Sequence, residues 1–481
     1  MKTCTAVLFC LAASTPAFAA TDPDATPPPA SAPRKLELPK IEKSRLPNGL
    51  SLEVVEDHRI PLVTARLGLP AGSVFDAAGE EGTADAVAAS LTDGIPGMSS
   101  AQIAEKVALL GASLEASASP DAATVSGSTL SENFEGFFRL FARVVTEPSF
   151  PESEIEIYRA NEIQKLVLAH TQPAFLAQER LSAILFGAHP YARVAATEAS
   201  LKSLTRDRLE KFYRAYYRPD RAVLVLYGDV TPAAARALAE KAFSAWTGQS
   251  PANPEFPPPP SRAGRTVALV DRPGSVQARI AIGSIAPTEK SPSYFPLQVA
   301  NNIFGGGSAS RLFQDIREKK GYTYDPDSSF STREQYGTFV ADCTARNDAA
   351  IPAVGVFFDL FDSLVRNPPT AEELDHSKAF LNGIFALRLA TQSGVANQLL
   401  RIALFRLPSD WLETYRASTS AVTPAQAASA ARSYIDAANP ALVVVGDAKL
   451  LAEGLAKYGP VAIYDSEGNR LAPPRNRAAK P

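Results

Sequence analysis

The sequence predicts an α+β fold of two homologous domains, each a mixed or antiparallel sheet with helices packed on one face. The first sign is internal duplication. "LTRDRLEKFYRAYYRPDRAVLVLYGDVTPAAARALAEKAF", from Leu204, and "VTPAQAASAARSYIDAANPALVVVGDAKLLAEGLAKYGP", from Val422, both give a capped helix, a short loop, an apolar strand, a Gly-Asp turn and a helix. Thr205 and Thr423 stand 218 residues apart, as do Gly228 and Gly446, so the register is kept. A second pair precedes the first: "FFRLFARVVTEPSFPESEIEIYRANE" parallels "FFDLFDSLVRNPPTAEELDHSKAFLN" as an amphipathic helix, a proline-marked break and another helix. The third sign is the strand pattern. "LSLEVVED", "PLVTARLGLP" and "TVALVDR" alternate or run apolar and then give way to paired helices, which suits sheets covered on one side.

In chain order, residues 1–20 predict a secretory signal: Lys2, a short apolar run from Ala6 to Ala13, and Ala17 and Ala19 framing Phe18 as an A-x-A cleavage site. Residues 21–40 form a proline-rich tether, disfavouring helix and sheet. The first domain is expected over 41–246 and the second over 265–470. Between them "TGQSPANPEFPPPPSRAG", 247–264, is too rich in proline to continue either and marks a linker. Cleavage would remove Cys4 and Cys10, leaving Cys343 and no internal disulfide; export is expected, to the periplasm of a Gram-negative bacterium.

Composition narrows the function. With 481 residues and 46% hydrophobic content, the chain is long enough for more than one core. A net charge of −3 without basic blocks gives no field for nucleic acid. Past the signal no stretch reaches the roughly 18 apolar residues of a spanning helix, so no integral membrane segment is expected in the mature chain. "GGGSAS" lacks the phosphate-loop lysine and the dinucleotide glycine pattern and predicts a hinge or close-approach turn. No G-x-S-x-G elbow occurs, and Cys343 in an alternating strand predicts a packed thiol rather than a nucleophile.

Two longer segments carry a family resemblance. "HPYARVAATEASLKSLTRDRLEKFYRAYYRPDRAVLVLYGDV", from His189, and "GGGSASRLFQDIREKKGYTYDPDSSFS", from Gly305, resemble the M16 (pitrilysin, insulinase, mitochondrial processing peptidase) family, short two-domain type. The likeness runs from about Leu46 to about Asp447. Active members carry H-x-x-E-H on a helix, where i and i+4 share a face and two imidazoles hold zinc beside a glutamate base. Alignment of "EEGTADAVAAS" puts Asp85 and Ala89 at the histidine positions and Ala88 at the glutamate. Glu162, in "YRANEIQKL", falls near the family's distal glutamate ligand, but with Asp85 alone it is a weak zinc site and is taken as a solvated helix residue. His58, His170, His189 and His376 form no i, i+4 pair. No metal and no cofactor is assigned to this chain.

In the second half the resemblance gives Arg317 and Tyr324 a role. Locally they are an arginine on a charged helix face and a tyrosine in a strand, either of which is structural in most proteins. By resemblance Arg317 binds a substrate carbonyl and Tyr324 donates to the peptide or to a developing oxyanion. The resemblance thus implies a non-catalytic, substrate-binding subunit, inactive alone, of an exported heterodimeric zinc metallopeptidase. A zinc-binding M16 paralogue would be its partner and peptides its substrates. A stand-alone peptide-binding or chaperone-like protein, or a structural member of the fold, is the alternative.

Overall fold

The computed structural model describes residues 37–435 and 438–472. The expected signal with Cys4 and Cys10, and most of the expected tether, fall outside them. The first sheet uses β1 (Glu42–Arg45), β2 (Ser51–Glu56), β3 (Leu62–Leu69), β6 (Ser113–Ala118), β7 (Ala123–Leu130) and β8 (Val223–Gly228); β4 (Gly94–Ile95) and β5 (Met98–Ser99) make a separate small hairpin. The second sheet uses β9 (Thr266–Asp271), β10 (Gln277–Ala286), β11 (Asp327–Ser331), β12 (Gly337–Arg346), β13 (Ala441–Gly446), β14 (Val461–Tyr464) and β15 (Arg470–Leu471).

The two sheets share a core of five strands in the same order and differ at one edge. The first runs β1-β2-β8-β3-β7-β6 and the second β11-β12-β10-β13-β9-β14-β15. In both, a parallel pair, β2 with β8 or β9 with β13, is followed on one side by antiparallel partners; on the other side β1 joins β2 antiparallel whereas β14 joins β9 parallel. β8 and β13 sit inside their sheets and are buried along their whole length, which is why each is a continuous apolar run. The fold is therefore α+β with two homologous domains, as the duplication predicts. Thr205 and Thr423 cap their helices, accepting from the amides of Arg208 and Gln426 at 3.4 and 3.2 Å.

Each sheet buries one face under its own helices. In the first half Leu52, Val54, Leu67 and Leu224 meet Phe137, Phe138 and Phe141 of the helix Phe134–Thr146. In the second half Ile280, Ile282 and Leu442 meet Phe357 and Phe361 of Asn347–Arg366. Cys343 is fully buried in β12, and burial raises its thiol pKa, so it packs rather than reacts.

The opposite faces are covered by exchange, which the sequence did not predict. The helix Pro173–Phe186 of the first half lies on β10 and β13 of the second, and Gln392–Phe405 of the second lies on β3 and β8 of the first. Glycines make the room. A Cβ at Gly68 in β3 would stand 2.7 Å from Leu400 Cδ1 and 2.8 Å from Leu404 Cδ1. At Gly283 in β10 it would stand 2.9 Å from Leu181 Cδ2. Leu181 and Leu400 hold matching positions in the two crossing helices, so the same contact is made twice. The β6–β7 and β11–β12 turns also meet: Asp121 accepts from Tyr191 Oη and, at 3.1 Å, from the Glu334 amide. Beside them buried His189 accepts the Tyr191 amide on Nδ1 at 3.0 Å, leaving Nε2–H to donate to Gln335 Oε1 at 3.1 Å. Burial lowers its pKa, consistent with a neutral ring.

Leu400→Ala should cost about 2–4 kcal/mol of stability through its cavity, and Gly68→Val about 1–3 kcal/mol through overpacking. Denaturant melts of the double variant should show a loss smaller than the sum, because valine enters the space leucine vacates. Strict additivity would contradict the exchange contact.

Candidate functional site

The positions aligned with the zinc motif sit on the helix Thr83–Ala89. Asp76, which sequence reasoning missed, fixes the start of this helix: its Oδ2 accepts the Gly82 amide and its Oδ1 the Ala84 amide, both at 2.9 Å. Asp76 is 5% exposed, and burial pushes its carboxyl up to about 7 against the pull of those amides. Asp85 projects into a cleft of about 260 Å³ whose walls include Tyr158, Leu166, Phe175 and Leu201. Ala88 points into the core and Ala89 is half-buried.

Glu162, on the helix Glu152–His170, lines the same cleft, so the chain fold brings it to Asp85 across 77 residues. It is not simply a solvated helix residue, as expected from sequence. Lys165 Nζ pairs with Glu162 Oε1 at 2.6 Å. The residues present do not fit zinc: alanine methyls stand where an imidazole and the base would be, two carboxylates give only hard oxygen donors, and one already holds an ammonium. Among the described residues, no group of three or more His, Cys, Asp or Glu side chains is arranged to hold a metal ion.

The second half carries the other candidate. After the helix Tyr294–Phe304, Gly305 and Gly306 make the close approach expected of the glycine run: a Cβ would stand 2.4 Å from Ser328 Oγ at the first and 2.8 Å from Asn302 Cα at the second. Arg311 then ties the chain to Glu373 through two bonds, Nε to Oε1 at 2.6 Å and Nη2 to Oε2 at 2.8 Å. The next turns, Phe313–Lys319, are wound as a π-helix, a winding that recurs at functional sites. It carries Arg317, whose guanidinium carbon lies 4.5 Å from the Phe313 ring centroid and whose side chain is 38% exposed.

Tyr324 does not lie in a strand. It sits in a bend before β11 and is 88% exposed. Asp325 holds the base of this bend, accepting from Thr323 Oγ1 at 2.7 Å, from the Thr344 amide at 2.8 Å and from Arg279 Nη1 at 3.2 Å. These bonds replace the strand ladder that the pattern suggested, and Pro326 could not have donated to one. The phenol is thus held out into solvent by a braced backbone. No hydrogen bond or ring contact joins Tyr324 to Arg317 among the described residues, and neither lines the Asp85 cleft.

Desolvation by the neighbouring cleft walls, and then the charge of Glu162, push the Asp85 carboxyl up to about 6, although its side chain stays open to solvent. Since the folded value lies above the ordinary 3.8, the unfolded chain releases this proton first as pH rises. The group therefore subtracts stability between about pH 4 and pH 6 and a constant amount above. Asp85→Asn should raise the melting temperature at pH 7 and lose that advantage near pH 4; a gain independent of pH would refute the assignment.

With this geometry in view, comparisons with known proteins bear on identity. Residues 53–197 match the family model described as insulinase (peptidase family M16). Residues 203–381 match the one described as peptidase M16 inactive domain. An uncharacterized zinc protease of Mycobacterium tuberculosis H37Rv is 25% identical over 367 residues, 75% of this chain and 83% of the relative. The uncharacterized zinc protease YmxG of Bacillus subtilis is 25% identical over 296 residues, 60% and 70% of the two chains. Among solved structures, a peptidase M16 inactive domain from Pseudomonas fluorescens superposes with a TM-score of 0.79 at 26% identity, covering 85% of this chain and 98% of that one. A protease from Helicobacter pylori, at 0.76 and 20% identity, covers 85% and 100% and shares the fold. The two family matches span most of both halves, and the chain belongs to peptidase family M16.

Proposed function

We propose that this chain is the non-catalytic, substrate-binding subunit of an exported heterodimeric zinc metallopeptidase. The observation that carries the reading is the contrast between its halves. In the first, the metal and base positions hold Asp85, Ala88 and Ala89, with Lys165 paired to Glu162. In the second, Tyr324 is 88% exposed on a braced bend and Arg317, 38% exposed and 3.4 Å from Glu318, also reaches solvent, with no metal-binding group beside either among the described residues. A zinc-bearing M16 paralogue would supply metal and base; Arg317 would hold a substrate carbonyl and Tyr324 would donate to the oxygen on which charge develops.

Peptides are the substrate class this arrangement suits. β6 is an edge strand of the first sheet and β11 of the second, so an extended chain can add to a ladder with little demand on sequence. Export to the periplasm rests on the signal-like first twenty residues. Among the described residues no helix is long and apolar enough to cross a membrane.

The test is reconstitution with an H-x-x-E-H paralogue and a quenched fluorescent peptide. Arg317→Ala or Tyr324→Phe should lower the turnover of the pair by about ten- to a thousandfold, the scale for losing a donor aimed at transition-state charge. The pair should still co-elute. Unchanged turnover in both variants would overturn the reading.

A further inference from the structure

The crossing helix Pro173–Phe186 covers only part of its sheet face. It packs on β10 and β13 and only partly covers β12 and its edge neighbour β11, so that a trench of about 280 Å³ lies between helix and strands. Its floor carries Ser329 and Ser331 of β11, in register with Val340 and Thr338 of β12. Leu181 and Leu185 form the helical wall. The trench begins where the Tyr324 bend is braced, since Arg279, a lining residue, is the one that bonds Asp325. It ends at Arg333, in the turn that joins β11 to β12.

The two arginines differ in how their charge is met. Arg279 is neutralised within the chain: Nη2 donates to Asp342 at 2.6 Å and Nη1 to Asp325 at 3.2 Å. Arg333 lies with its guanidinium carbon 4.7 Å from the Tyr191 ring centroid and 5.8 Å from that of Phe186, and takes part in no hydrogen bond or ion pair among the described residues. Asp121, whose charge it feels, is already engaged by Tyr191 Oη and the Glu334 amide. Burial lowers the pKa of Arg333, the mark of a cation short of compensation. A guanidinium stacked on aromatic faces keeps its edge donors free, and that planar fork matches a carboxylate.

We propose that the trench is a subsite for a peptide segment and that Arg333 receives a carboxylate of that segment, from its C-terminus or from an acidic side chain. The inference rests on the peptide-binding reading above and adds to it a preferred charge and position. Since the path from Tyr324 to Arg333 follows β11, the carboxylate belongs roughly six to eight extended residues from the point Tyr324 grips. Hydroxyls on the floor and apolar wall residues make few demands on the sequence between.

The test is fluorescence anisotropy on the whole chain with three labelled, unstructured dodecapeptides: a free acid, its C-terminal amide, and the amide with one internal glutamate. One or both of the carboxylate peptides should bind the wild type roughly five- to tenfold more tightly than the uncharged amide, the scale of one partly desolvated charged pair. Which of the two does so identifies the source of the carboxylate. In Arg333→Gln the ratio should fall to about one, and Arg333→Lys should restore part of it. Ser331→Glu, which offers Arg333 a carboxylate from within the trench and leaves its ring contacts alone, should abolish the preference too. Equal binding of all three peptides by the wild type, or a preference that survives both Arg333→Gln and Ser331→Glu, overturns the inference and leaves the peptide-binding reading standing. Absence of binding by any peptide overturns both.

Discussion

The structure depends on one contact made twice: a leucine of a helix from one half seated over a glycine in the sheet of the other. Leu400 with Leu404 over Gly68, and Leu181 over Gly283, bring helix and strand closer than any side chain at those positions would allow. The sheet faces under these helices are apolar, with Val443, Val445 and Ala268 in the second half, and neither half can cover its own. Burial of such surface stabilises by about 25 cal/mol per Å², so the halves are held together by the same term that folds each of them. The contact also decides what stays open. Each crossing helix spans the middle of its sheet, and in the second half a trench with an apolar wall and a hydroxyl-bearing floor stays open beside the Tyr324 bend.

Against that shared frame the chemistry of the halves has diverged. In the first, the helix Thr83–Ala89 keeps its braced start through Asp76, yet alanines replace the groups that would meet a metal, and Lys165 lies on the carboxylate of Glu162. That pair, at 2.6 Å, gives the carboxylate a partner within the chain. In the second half, bonds that could have extended a strand are spent on Asp325, which grips Thr323, Thr344 and Arg279 and holds Tyr324 out. Bracing of this kind lowers the ordering cost when a partner or peptide arrives.

Much of the fold was legible because it is local or repeated. Thr205 and Thr423 announce helix starts, the runs before Gly228 and Gly446 announce buried strands, and their common offset announces duplication. The crossing helices were legible as helices, but nothing local in Leu181 or Leu400 says that the surface beneath belongs to the other half; Gly68 and Gly283, lone glycines inside strand patterns, were the available signal for close approach. In the site, the absence of an H-x-x-E-H motif could be read directly, whereas the meeting of Glu162 with Asp85 is tertiary. The pattern around Tyr324 reads as strand, although the Asp325-Pro326 dipeptide that follows it signals a turn. Asp76 and Arg333 gave no sequence signal, since each acts through elements distant along the chain.

The central claim is that this polypeptide supplies grip and another supplies the metal. Its most direct test is zinc content by elemental analysis, measured with peptide turnover on the purified chain alone and on the chain paired with an H-x-x-E-H paralogue. The account predicts sub-stoichiometric zinc and no turnover for the chain alone, and one zinc with turnover for the pair. One zinc per isolated chain, supporting hydrolysis and removed together with it by a chelator, would contradict the account.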